Sequence, residues 1–349
     1  MPIPRSTRVV VATATLAALS ACSGGSQFSP SVQQQSFVQH SLTQQATEPK
    51  IPSLEALQPS KTKPVPLIFA ADVGNAAVYA YENSGTNQSP IWKLSGSPLE
   101  QPTALWVDGA SDLYVGDNSG FIYEYNTPTS SAPPGKPNFT YNNLGYSLTH
   151  IAVCGKYLYA ANIVSGSLGA TVTVFKIGTE DPIATISQPQ YTEGAGYGIT
   201  CNAATGNFYF GYDVSYSGPG EVDEYPADGS GKPTTLNTDP VFLQGLTFNH
   251  GDTTFVLGDA YNPKGAAIEF WGVKGKKASH SIIADWVAEP IGFAYEKGDK
   301  ALWDADTGNN ALYRFSPSKG TLLNTITSVG SGKTFSSVTD VALSPPDHD

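Results

Sequence analysis

Between residues 66 and 346 the chain alternates short apolar runs with polar corners, and one arrangement recurs. In "LWDADTGNNALYRF" (302–315) an apolar run stops at Asp306, turns through Gly308 and Asn309, and returns through Leu312 to Phe315. "IFAADVGNAAVYAY" (68–81) repeats it, with Asp72, Gly74, Asn75, Val78 and Tyr81 at the same offsets. "LYVGDNSGFIYEY" (113–125) is one residue shorter and carries Asp117. In 158–175 the turn is longer and Asn162 takes the aspartate's place. In 208–225 Tyr212 takes it and Asp213 follows, and in 255–271 it is Asp259. The closing aromatics Tyr81, Tyr125, Phe175, Tyr225, Trp271 and Phe315 lie 44 to 50 residues apart. A fixed period of this size signals a repeat architecture.

Each later unit has a leading strand: "TALWVDG" from Thr103, "THIAVCG" from Thr149, "YGITCNA" from Tyr197, "QGLTFNH" from Gln244 and "IGFAYEK" from Ile291. Apolar residues alternate there, as in Leu105 and Val107 or Ile151 and Val153, which is strand period with one face buried. A looser fourth strand follows the aromatic, as in "IWKLSG" or "LLNTIT". Four antiparallel strands per unit predict an all-β chain folded as a six-bladed β-propeller over 65–346. The first unit lacks its leading strand, and "VTDVALS" (338–344) supplies one at the other end. The C-terminal strand is therefore expected to complete the first blade and close the ring, which removes open sheet edges.

The units resemble NHL-type propeller repeats, most closely around Asp72 and Asp306. An aspartate or asparagine at a strand end accepts hydrogen bonds from the N–H groups of the turn that follows. Glycine and asparagine tolerate the left-handed backbone of a tight corner. Turn capping is thus the first reading of these residues. The second is functional. Asp72, Asp117, Asn162, Asp213, Asp259 and Asp306 fall on one propeller face, with His150, Tyr197, Gln244 and Asp340 nearer the axis. A ring of oxygens of this kind suits Ca2+ or a polyol.

Residues 1–22 read "MPIPRSTRVVVATATLAALSAC": Arg5 and Arg8, an apolar stretch, then Leu19-Ser20-Ala21-Cys22. The stretch is too short to span a bilayer and has the form of an export signal. Its end resembles the lipobox of bacterial lipoproteins. That resemblance implies a signal peptide over 1–21, lipidation of Cys22 and stable anchoring by several acyl chains. Ser23, where an inner-membrane retention signal would be Asp, implies the outer membrane, facing periplasm or cell surface. Residues 22–64 are rich in Gln, Ser and Pro and read as a flexible tether. "PSLEALQ" (52–58) within them reads as one helical turn.

The net charge of −11 and the absence of a basic run argue against nucleic acid. Cys154 and Cys201 lie on leading strands of neighbouring units, offset by one position, so their side chains leave opposite pleats. A bond across two blades in an exported protein is the expectation, and two buried thiols are the alternative. "GSGKTF" (330–335) has Thr327 where a phosphate loop needs Gly, and reads as a surface turn. CxxC, HExxH and GxSxG patterns are absent. Of the histidines only His150 falls on a leading strand near the presumed mouth. Glu221 and Glu224 are not spaced to share one face of a strand, so no acid–base pair is assigned and no catalytic residue is named.

The reading is a monomeric, lipid-anchored, non-enzymatic binding or scaffolding protein for a protein or glycan, without a cofactor. The alternative is a calcium-dependent lactonase or gluconolactonase-like hydrolase. That resemblance requires Glu, Asn and Asp on an axial metal, whereas the corresponding positions here are Ala104, His150, Gly198, Gly245, Gly292 and Asp340. A third relative by fold, the quinone-dependent sugar dehydrogenases, requires inward basic residues that this pattern lacks.

Overall fold

The computed structural model describes residues 53–56 and 66–345, apart from 84–87, 131–133, 145, 165–168, 188–195, 214–219, 237–241, 274 and 276. All of them belong to the compact unit spanning 44–349. The signal, Cys22 and most of the tether lie outside the described residues.

Six sheets of antiparallel strands form the blades. Blade two is Pro102–Val107, Leu113–Asp117, Phe121–Tyr125 and Phe139–Asn142, from the inside out. Blades three to six begin with Ser147–Cys154, Gly196–Cys201, Leu243–Phe248 and Pro290–Tyr295. In blade one the innermost strand is Val338–Ser344, paired with Leu67–Asp72 in the register Leu67↔Ser344 to Ala71↔Asp340. The C-terminus closes the ring as expected.

No central core holds the molecule together. Six apolar clusters, one at each junction between neighbouring blades, do so instead. Blade one shows what closure means. Its Phe69 and Leu94 pack with Leu105 and Leu113 of blade two, and its Ile68 and Tyr81 pack with Trp303 and Leu312 of blade six. Successive strand residues leave opposite pleats, so one strand serves two junctions. Each large side chain buried this way is worth about 1.5–3 kcal/mol.

The innermost strand bulges against the second strand in every blade, close to its start. Opposite the bulge the second strand is small in all six: Ala71, Gly116, Ala161, Gly211, Gly258 and Ala305. The cause is crowding. A Cβ on Gly116 would lie 2.5 Å from Leu148 Cδ2, and one on Gly258 would lie 2.1 Å from the Pro290 carbonyl oxygen. Each blade's second strand must admit the entry of the next blade's innermost strand.

Two sequence expectations need correction. In blade five the bulge falls one residue later than the repeat suggests. Gln244, one of the residues expected nearer the axis, pairs with Gly258, while Gly245, aligned with the hydrolase's axial positions, is the bulged residue with φ of +58°. The helical turn expected in 52–58 is instead a strand. Ser53–Ala56 pairs antiparallel with Trp92–Ser95 as a fifth strand on the outer edge of blade one, with Glu55 opposite Lys93. An open outer edge offers unpaired N–H and C=O groups, and an extended segment satisfies them where an isolated helical turn cannot.

Candidate functional site

The repeat aspartates stand at the end of each second strand, where the innermost strand begins beside them. Three act alike. Asp306 Oδ2 accepts hydrogen bonds from the N–H groups of Ala288 (2.7 Å) and Glu289 (3.1 Å), and its Oδ1 accepts one from Asn309 N–H (2.8 Å). Asp117 does the same with Glu100, Gln101 and Ser119, each at 2.9 Å. Asp72 holds Asn75 N–H and the N–H groups of Ser336 and Ser337. One buried carboxylate thus staples its own turn to the segment entering the same blade's innermost strand. Charge-assisted bonds of this kind are stronger than neutral ones. At Asp306, burial still pushes the carboxyl upward against its three donors.

The other three differ. Asn162 receives a bond from Asn143 Nδ2 (2.7 Å) and donates to Thr173 Oγ1 (3.2 Å), so an amide network replaces the staple. Tyr212 occupies the aspartate position in blade four, and its hydroxyl lies within hydrogen-bond distance of Glu221 (3.0 Å) and Asp223 (3.1 Å). Asp213, on the opposite pleat, reaches the next blade and accepts from Leu243 N–H at 2.8 Å. Burial lifts its pKa to about 8, with Asp259 nearby adding to the shift. Asp259 itself accepts from Asn262 Nδ2 at 3.1 Å.

His150 and Asp340 are brought to the axis. His150 Nε2 lies 2.9 Å from the carbonyl oxygen of Ile291, a bond joining blade three to blade six across the ring. The carbonyl can only accept, so Nε2 carries the proton. Burial lowers the His150 pKa to about 4, against the pull of hydrogen bonds to the backbone of Ile291 and Tyr197, so the ring is neutral at pH 7. Asp340 accepts from Leu105 N–H at 2.7 Å and Val341 N–H at 2.8 Å. Burial nevertheless raises its pKa to about 8. Burial thus shifts both groups toward their neutral forms.

Beyond this bar a cavity of about 50 Å3 runs toward the opposite end of the ring. Its walls are the later residues of the innermost strands, among them Val107, Leu246, Phe293, Tyr295 and Leu343, with His150 and Asp340 at its inner end. At that far end a second pocket of about 320 Å3 is lined by Trp106, Asp108, Val153, Cys154 and Cys201. Trp106 and Val107 line both. The expected disulfide is present: Cys154 and Cys201, 6.2 Å apart at Cα, join blades three and four on this rim.

Sequence reasoning missed Trp106. Its equivalents in the other blades, by pairing with the second strand, are Ala152, Thr200, Thr247, Ala294 and Ala342. A lone tryptophan among small residues at one repeat position was the available signal.

Chemically, Asp72, Asp117 and Asp306 offer little to a ligand, since their oxygens face backbone N–H groups. Among the described residues no three His, Cys, Asp or Glu side chains converge to hold a metal. The residues present at the axis, one carboxyl and one neutral imidazole among small side chains, do not fit a calcium centre, which needs six to eight oxygens.

No family model matches the sequence, and no curated protein matches it. Among solved structures the chain is similar to one in the crystal structure of a nidogen/laminin complex, with a TM-score of 0.61 and 16% identity over 81% of this chain and 100% of that one. At that identity the likeness shows the fold, a β-propeller.

Proposed function

We propose that the chain is an exported, lipid-anchored propeller that binds a protein partner through the end of the ring carrying Trp106. Cys22 bears the acyl chains, the Gln-, Ser- and Pro-rich segment after it is the tether, and the propeller acts as a monomer without a cofactor. The observation that carries the reading is the contrast between ends. At one end the carboxylates of Asp72, Asp117 and Asp306 are spent on backbone, while at the other a half-buried tryptophan lines a pocket of about 320 Å3. Tryptophan anchors in partly enclosed pockets dominate many protein interfaces. The similar chain from the nidogen/laminin complex supports a protein partner over a glycan.

The test is site-specific photo-crosslinking of the full lipoprotein in its own cell envelope. A photoreactive residue at Gly109, by the Trp106 mouth, is expected to give a discrete protein adduct that Trp106→Ala abolishes. The same residue at the exposed Asn309, by Asp306, is expected to give none. Adducts from Asn309 alone would refute the assignment of the face. Lactone hydrolysis abolished by EDTA and restored by Ca2+ would replace the reading with the hydrolase. Acylation is checked separately, by labelled palmitate incorporation that Cys22→Ala removes.

A further inference from the structure

The connection from blade six back to blade one carries a hairpin, Ser328–Gly330 paired with Lys333–Thr334, outside the four-stranded pattern. It contains the "GSGKT" stretch whose spacing does not fit a phosphate loop. Ring closure alone does not require it, and it is held firmly. Tyr81 donates its hydroxyl to the Ser328 carbonyl at 3.0 Å. Asn75 Nδ2, itself held by Asp72, reaches the Thr334 carbonyl at 3.4 Å. Phe335 packs edge-on against Tyr79 and Tyr81, with ring centres 6.1 and 6.2 Å apart. Asp72 then fixes Ser336 and Ser337.

Between this hairpin and blade one lies a pocket of about 140 Å3 lined by Asn75, Tyr79, Lys93, Ser331 and Lys333 with the turn glycine Gly330. Both charged residues lining it are lysines, in a chain whose net charge is −11. Lys93 is half-buried and its Nζ lies 5.8 Å from the centre of the Tyr79 ring, so its ammonium is held in place. Gly330, Ser331 and Gly332 all have left-handed backbone, with φ of 87°, 52° and 72°. Lys333, which follows this tight turn, lines the same pocket as Lys93. Ser331 adds a hydroxyl in a backbone region that non-glycine residues occupy at a cost, a feature that clusters at ligand sites.

We propose that this pocket is a binding site for a tetrahedral oxyanion, a phosphate or sulfate group. Two ammonium groups meet its charge and a hydroxyl meets a third oxygen, while the hairpin is preorganised before the ligand arrives. The site is independent of the partner-binding end and of the lipid anchor. The anion could be free or borne on a lipid headgroup, and the chemistry recognised is the same.

The full-length Cys22→Ala protein is titrated with sodium phosphate and with sodium sulfate at constant ionic strength, and amide shifts are followed by NMR. Saturable shifts confined to residues 329–333 and neighbours of Lys93 are expected. Lys93→Gln with Lys333→Gln should weaken binding at least tenfold. The control pair Lys232→Gln with Lys264→Gln should leave it within twofold. Co-sedimentation with phosphatidylglycerol vesicles, against phosphatidylcholine alone, separates the sources. Vesicle binding lost in the Lys93/Lys333 pair assigns a lipid headgroup, and phosphate binding without it assigns a free anion. Linear, unsaturable shifts, or equal weakening by both lysine pairs, would overturn the site.

Discussion

Blades six and one differ from blades three and four in how they are pinned. In the first pair Asp306 and Asp72 tie a turn and an incoming segment together with one side chain each. In the second pair the position holds Asn162, bonded to Asn143 and Thr173, and Tyr212, bonded to Glu221 and Asp223. The one disulfide of the propeller lies between these two blades. The comparison teaches that an aspartate staple and a covalent link are two devices acting on the same element, the innermost strand, in different blades.

The largest expected effect breaks the covalent side. Replacing both Cys154 and Cys201 by Ala should cost about 4 kcal/mol by the loop-closure relation for the 47-residue span, read as a lower urea midpoint. Next, Asp306→Ala leaves three N–H donors without their acceptor and should cost about 3 kcal/mol, with Asp306→Asn recovering part of it. Tyr212→Phe, at the same repeat position in blade four, loses two hydroxyl contacts and should cost only about 1 kcal/mol. Equal losses at the two positions would break the comparison.

Between these in size is a change of the opposite sign. Asp304 is fully buried, and neither carboxylate oxygen has a hydrogen-bond partner among the described residues. Its equivalents are Ala70, Val115, Ala160, Phe210 and Leu257, so an acid sits in an apolar slot. Burial, then the neighbouring Asp306, hold its pKa well above the ordinary carboxylate value. Asp304→Val should stabilise the fold by about 2 kcal/mol at pH 8. The sign of the pH dependence follows. The folded carboxyl keeps its proton while the unfolded one ionises above about 4, so its contribution is present in acid and lost as pH rises. Asp213 and Asp340, both raised to about 8, act in the same direction over the window from about 4 to 8. His150, lowered to about 4, opposes them, because its contribution is present above about 6.5 and lost as pH falls. The stabilisation by Asp304→Val should therefore shrink as pH drops from 8 to 4, measured by urea unfolding at each pH.

The architecture was legible in the sequence because a propeller writes its period directly: Tyr81 to Phe315 mark the blades, and the displaced "VTDVALS" marks the closure. The cysteines were legible because strand alternation assigns their pleats. The capping reading of Asp72, Asp117 and Asp306 followed from local turn chemistry. What was not legible depends on contacts between distant segments. The shift at Gln244 and Gly245 is set by how blade five meets Ile291, whose carbonyl oxygen would lie 2.1 Å from a Cβ on Gly245. Ser53–Ala56 becomes a strand only because Trp92–Ser95 presents an edge. The bond from His150 to Ile291 spans 141 residues, and no local pattern announces it. Trp106 and the small residues before each aspartate were visible, but only by comparing equivalent positions between blades.

Amide hydrogen exchange on oxidised and reduced protein tests the division of labour most directly, since it reads local opening strand by strand. The account predicts that reduction strips protection from Gly196–Cys201 and Ser147–Cys154 first, while Pro290–Tyr295 and Val338–Ser344 keep theirs. Protection lost evenly around the ring, or first at Pro290–Tyr295, would contradict it.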